Sequence, residues 1–300
     1  MGTLADEHPG DQASAPPAGD PGPVLHRLLL GARLRRLRES SGLTTGQAGA
    51  AVDLAPADIA ALERGGRACR LRDLMMLCDR YGVTDQDERV TLLHLARRAN
   101  DPGWWAAYSD VIPPWFEPLI GLEQAARCIR GFESQRVPGL LQTPEYARHA
   151  IRMSHRGDSE EALERRLEVR LRRQAILRRE RPPRLWVVVD ESALHRPLGG
   201  RSILFRQLHH LVDMSELPHI TVQVLPLHAA GPASGGPIVL LDMHEGELDD
   251  IVFVEQLTSA RYIDDDAEVT HYRQVLDSLA VRALPPDASR TAILGLARRL

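Results

Sequence analysis

The stretch from Leu34 to Arg64 constrains this chain most, because its apolar residues, glycines and turn formers fit only three short helices packed at close quarters. Leu34 and Leu37 give the first helix an apolar face, and Gly42 ends it. Leu43 and Thr44 then offer a hydrophobic staple and an N-cap for a second helix. Ala48, Gly49 and Val52 are small or apolar where two helices must cross closely, and Asp53 stands in a tight turn where φ > 0 is often needed. Pro56 opens a third helix with its preset φ, Ile59 and Leu62 point inward, and Gly65-Gly66 closes it.

Around this unit the composition divides the chain. Residues 1–24 are Pro, Gly, Ala and Asp with almost no large apolar side chains, which predicts a disordered tail. Helical patterns continue to about residue 100 and stop at Asp101-Pro102-Gly103, so residues 25–100 form an all-α helix-turn-helix domain. From 101 to 300 the pattern mixes helix and strand. Leu185–Val189, Ile220–Leu225, Ile238–Leu241 and Ile251–Glu255 are short, β-branched runs that predict strands. Glu160 to Arg179 and Glu268 to Leu284 predict helices, the first with its Arg and Glu residues pairing internally at i,i+4. The expected fold class is therefore α+β overall, an N-terminal all-α domain followed by a larger mixed α/β domain.

Charge and cysteine usage narrow the function classes. The formal net charge of -4 supplies no global attraction to nucleic acid, so any such contact needs a local basic surface. No Lys occurs and every basic side chain other than His is Arg, the mark of a GC-rich coding sequence. Cys69, Cys78 and Cys128 lack the spacing of a zinc site or a disulfide framework and read as reduced thiols. Neither a secretory leader nor an apolar run long enough for a membrane span is present, so the expectation is a cytoplasmic, nucleoid-associated protein with no membrane contact, no cofactor and no metal.

Leu43-Thr44, Ile59 and Glu63-Arg64-Gly65 resemble the XRE family of lambda-repressor-like helix-turn-helix regulators over roughly residues 28–95. The resemblance implies double-stranded DNA as partner, a homodimer because one such motif reads only a half-site, and an ion pair between Arg38 and Glu63. The DNA-facing positions it designates are Thr45, Ala55, Ala57, Asp58, Ala61, Arg64 and Arg67, with Arg70 as a further backbone contact. This set departs from the usual readers. Direct readout needs donors and acceptors aimed at base edges, and three alanines and an aspartate supply few.

In the larger domain Val137-Pro-Gly-Leu-Leu-Gln-Thr143, Tyr146-Ala147, Arg173-Gln174, Asp190 to Leu194 with Gly199-Gly200, Gln207-Leu208 and Val222 to Pro226 resemble an actinomycete family of antitoxin-like regulators. That resemblance implies a C-terminal effector domain and a small BldB-like partner protein. The alternative it leaves open is a protein-interaction module with a weakened helix-turn-helix. An enzyme is not expected. Asp190, Glu191 and His195 follow a strand, but acids there also serve as a helix N-terminus, and His209, His210, His219 and His228 lack metal-ligand spacing. The cluster Trp104, Trp105, Tyr108, Trp115 and Phe116 reads as a packed hinge between domains rather than a ligand pocket.

Overall fold

A computed structural model describes residues 22–229, 236–243 and 248–300. Five helices come first: α1 (Gly22–Ser40), α2 (Thr45–Val52), α3 (Pro56–Glu63), α4 (Leu71–Arg80) and α5 (Gln86–Ala99). Leu30, Leu34, Ile59, Leu62, Leu74 and Leu92 from all but α2 meet in one core, and α2 adds Ala48 and Val52. Each of these residues sits at helical spacing on its own element, which is how short helices of modest intrinsic stability hold together.

A 3-10 turn at Trp104–Tyr108 leads into α6 (Glu117–Ala125), β1 (Cys128–Glu133), α7 (Pro144–Ser154), α8 (Glu160–Gln174), β2 (Arg184–Asp190), α9 (Glu191–Leu194), α10 (Arg201–Met214) and β3 (Ile220–Leu225). Then follow β4 (Ile238–Asp242), β5 (Ile251–Glu255), β6 (Ala260–Ile263), α11 (Asp266–Arg282) and α12 (Pro286–Ala297). The six strands form one mixed sheet in the order β3-β2-β1-β4-β5-β6. β1 runs parallel to β2 and β2 to β3, whereas β4, β5 and β6 continue antiparallel.

Side-chain alternation gives the sheet two buried faces. Ile129, Leu185, Val187, Val189, Val222 and Leu241 enter the larger core with α6, α8, α10 and α12. Phe132, Val188, Leu240 and Val252 pack against α11 on the other face. The outer edge of β3 is closed by the approach to α12. Leu284 N–H donates to Val224 O at 2.9 Å, and Val224 N–H donates to Ser289 Oγ at 2.9 Å.

One helix belongs to both cores. Leu30 and Leu34 of α1 lie in the helical core, while Val24 and Leu25, one to two turns earlier, lie in the core of the α/β part. Two glycines permit the close approaches this requires. A Cβ on Gly31 of α1 would lie 2.5 Å from the Glu63 carbonyl oxygen of α3, and a Cβ on Gly121 of α6 would strike the Val24 side chain. Gly22, Pro23 and Val24, expected at the end of a disordered tail, are helical and buried. The remainder of that tail, residues 1–21, lies outside the described residues.

The α+β class stands, with differences of detail. β1, the strand in the middle of the sheet, and the edge strand β6 escaped sequence reading, as did the helices α6, α7, α10 and α12. The helix expected over Glu160 to Arg179 stays α-helical only to Gln174 and tightens into a 3-10 turn over Ala175–Arg178. Arg130 and Gly131 in Cys128–Glu133 dilute the apolar, β-branched signature by which strands are recognised. Arg130 is accommodated because it reaches Asp277 of α11 at 2.5 Å and stacks over Trp186 at 5.0 Å.

Candidate nucleic-acid interface

The α2–α3 unit is built by local chemistry. Thr44 caps α2 in a reciprocal capping box, Gln47 N–H donating to its Oγ1 at 3.2 Å and its own N–H donating to Gln47 Oε1 at 2.9 Å. Asp53 ends the helix in the left-handed region with φ 56°. That conformation costs a β-branched residue roughly 1–2 kcal/mol. Asp53→Val therefore lowers the unfolding free energy by about that amount and Asp53→Gly leaves it nearly unchanged, as urea titration followed by circular dichroism will show. Pro56 occupies the first turn of α3, whose Ile59 is 1% and Leu62 3% exposed.

The expected pair between Arg38 and Glu63 is present and bidentate. Arg38 Nε donates to Glu63 Oε1 at 2.6 Å and Nη2 to Oε2 at 3.0 Å, while Nη1 donates to Leu43 O at 2.8 Å. One guanidinium thus ties the end of α1 to the end of α3 and to the turn before α2. This clamp sets the angle at which α3 is presented.

The presented surface is small and nearly uncharged. Ala55 and Ala57 are exposed, while Ala61 and Thr45 are half-buried on the same unit. Asp58 and Arg67, which sequence reading placed separately at the interface, bind each other at 2.5 Å. Arg67 is therefore held over the start of α3 and cancels the carboxylate that faces outward there. Arg64 and Arg70 are exposed and have no ion pair among the described residues, which leaves them as the cations that can turn toward a phosphate.

In the larger domain Asp190, Glu191 and His219 each make a defined hydrogen bond. Asp190 Oδ1 accepts from Ser192 N–H at 2.9 Å and caps α9. Glu191 accepts from Leu227 N–H at 3.0 Å, and this bond, helped by His195, holds its carboxyl below the usual range. His219 meets Leu177 O at 3.0 Å. Trp105 is 2% exposed and donates to Glu117 at 2.9 Å, so it is packed into the larger core beneath α1 and α6.

The charges of α8 depart from the internal pairing expected of them. Among the described residues only Arg172 and Glu168, at 3.4 Å, pair within the helix. Arg165 reaches Asp110, Arg166 reaches Asp158, Glu164 receives Arg148 of α7, and Arg173 binds Glu123 of α6 at 2.7 and 2.9 Å. Helix α8 is a hub that fastens the elements beside it.

Fold and site together define the class: a DNA-binding regulator with an N-terminal helix-turn-helix, since residues 29–92 match a helix-turn-helix domain. Residues 116–295, more than half of the chain, match a domain of unknown function, DUF5753, and the chain belongs to that family. Comparison with curated proteins and with solved structures gives no match. Among the described residues no helix is long and apolar enough to cross a membrane.

Proposed function

We propose that this protein is a dimeric transcriptional regulator that grips operator DNA mainly through its phosphates and shape, while the DUF5753 domain receives a ligand or a small BldB-like partner. The observation that carries the reading is the rigidly clamped α3. Its alanine surface lets the helix approach a groove closely, and Arg64 and Arg70 flank it as exposed cations. Phosphate contacts of this kind supply affinity and register, and sequence-dependent deformability supplies discrimination where base contacts are few. Dimerisation follows from the half-site logic of a single motif.

The second reading, a partner-capture module with a weakened DNA surface, is favoured by the Asp58–Arg67 pair, which removes one cation from the interface. DNA retention across a salt series, with the promoter region of the chain's own operon as probe, separates the two. The regulator shows site-preferring binding whose log–log salt slope falls by about 0.9 for each phosphate that Arg64→Ala or Arg70→Ala leaves without its cation. Asp58→Asn strengthens retention, because it removes a repelled carboxylate and frees Arg67. Binding that is weak, indifferent to sequence and unchanged by all three substitutions transfers the case to partner capture.

A further inference from the structure

A cavity of about 70 Å³ lies where the helix-turn-helix unit meets the larger domain. Its floor is the buried start of α1, at Gly22 and Pro23, together with Trp105, and its mouth lies at the exposed Asp101 and Pro102. Helix α5 supplies Arg98 and α6 supplies Gln124. A single water needs roughly 10–15 Å³ of such space, so the cavity has room for several waters or for one small ring. Two glycines let its walls stand close together. A Cβ on Gly103 would lie 2.4 Å from the Trp105 ring, and a Cβ on Gly22, whose φ is 79°, would lie 2.6 Å from Gln124 Oε1.

The walls are apolar and the polar groups are few, the usual make-up of a small-molecule site. Trp104 and Trp105 meet edge to face with ring centroids 5.9 Å apart. Trp105 has committed its Nε1 proton to Glu117 and offers the cavity only carbon. Arg98 and Asp101, 3.4 Å apart at the mouth, offset each other's charge. The cavity therefore suits a neutral occupant, because a charged one would lose hydration without gaining a counter-ion. Two polar groups on the lining keep hydrogen-bonding capacity. The half-buried Gln124 makes no hydrogen bond from its side-chain amide among the described residues, while its backbone carbonyl accepts from Arg179 Nη1 at 2.7 Å. His26 donates from Nδ1 to Gly22 O at 2.9 Å, so the neutral ring keeps Nε2 as an acceptor. A primary amide holds a donor and an acceptor side by side, and its complement is an acceptor beside a donor on one edge of a flat molecule.

We propose that this cavity binds a small neutral ring compound with a lactam-type edge, one N–H beside one C=O, which Gln124 pairs in two hydrogen bonds between the walls formed by Trp104 and Trp105. As a ligand site it stands independently. As an effector site it rests on the function proposed above, through α1, which floors the cavity and runs on to Leu30 and Leu34 in the helical core.

The test uses the full chain and two probes of nearly equal size, 2-pyridone, which carries the lactam edge, and phenol, which does not, read by isothermal titration and by the thermal unfolding midpoint. 2-Pyridone binds the wild type saturably in the millimolar range, the strength expected of so few atoms, and about tenfold more tightly than phenol. Gln124→Leu, which keeps the volume and removes the amide, weakens 2-pyridone by about tenfold and leaves phenol nearly unchanged. Absence of saturable 2-pyridone binding overturns the proposal, and so does 2-pyridone binding that phenol matches or that Gln124→Leu does not weaken. The comparison of the two probes on the wild type decides the matter even where Gln124→Leu fails to fold. A chain that binds 2-pyridone through Gln124 yet retains no DNA upholds the site and overturns the regulator. DNA retention indifferent to bound 2-pyridone upholds the site and overturns only its effector role.

Discussion

Glu63→Ala lowers the unfolding free energy by about 3–5 kcal/mol, the loss expected when one partner of a buried ion pair is removed and the other charge is left behind. The Arg38 and Glu63 side chains are 11% and 6% exposed, and three donors of one guanidinium are spent on this junction. Without the carboxylate, Arg38 keeps the Leu43 carbonyl and, at 3.4 Å, the exposed Glu39, whose charge water screens. Arg35 and Glu39 form the contrast: at 3.0 Å but 56% and 52% exposed, they contribute about 0–1 kcal/mol. Urea titration of Glu63→Ala, Glu39→Ala and the double replacement Arg38→Met with Glu63→Leu checks the argument. The double replacement recovers most of the loss, because no charge stays buried. A loss under about 1 kcal/mol for Glu63→Ala would show that water reaches the pair.

Glu123→Ala carries a loss of the same size, about 3–5 kcal/mol, in the other core. Arg173 and Glu123 are 9% and 5% exposed by side chain, the two bonds are 2.7 and 2.9 Å, and the guanidinium also rests on Phe116. The deficit relative to wild type persists at high salt, since a pair this deep is screened little. Its consequence travels. Glu123 sits on α6, whose Gly121 receives Val24 of α1, and α1 continues through Gly31 to the back of α3. Loosening α6 therefore changes the support of α3, the helix proposed to face DNA. Glu123→Ala reduces DNA retention at temperatures where the chain is still folded, whereas Glu39→Ala does not.

Much of the candidate interface was legible in the sequence because the chemistry that builds it is local. The cap at Thr44, the left-handed turn at Asp53, the opening at Pro56 and the inward Ile59 and Leu62 each depend on residues a few positions apart. The pair between Arg38 and Glu63 is not local, and it became readable only through resemblance to a family that keeps it. The pairing of Asp58 with Arg67 was not foreseen, although the two are nine residues apart, because it depends on how the chain folds back after Gly65.

By itself, then, the sequence determined the class of fold, the helix-turn-helix, four of the six strands and the residues at which α2 and α3 start and stop. Capping, turn conformation and side-chain periodicity act within a turn or two of the chain, so the residues that decide them are neighbours in sequence. Only the tertiary structure decided that β1 lies in the middle of the sheet, that α1 serves both cores, and which acid each arginine takes. In a chain with 37 arginines and 41 acids, every guanidinium has many candidate partners of equal chemistry. Which pair is worth several kcal/mol and which is worth nothing depends on depth below the surface, and depth exists only once the elements have packed.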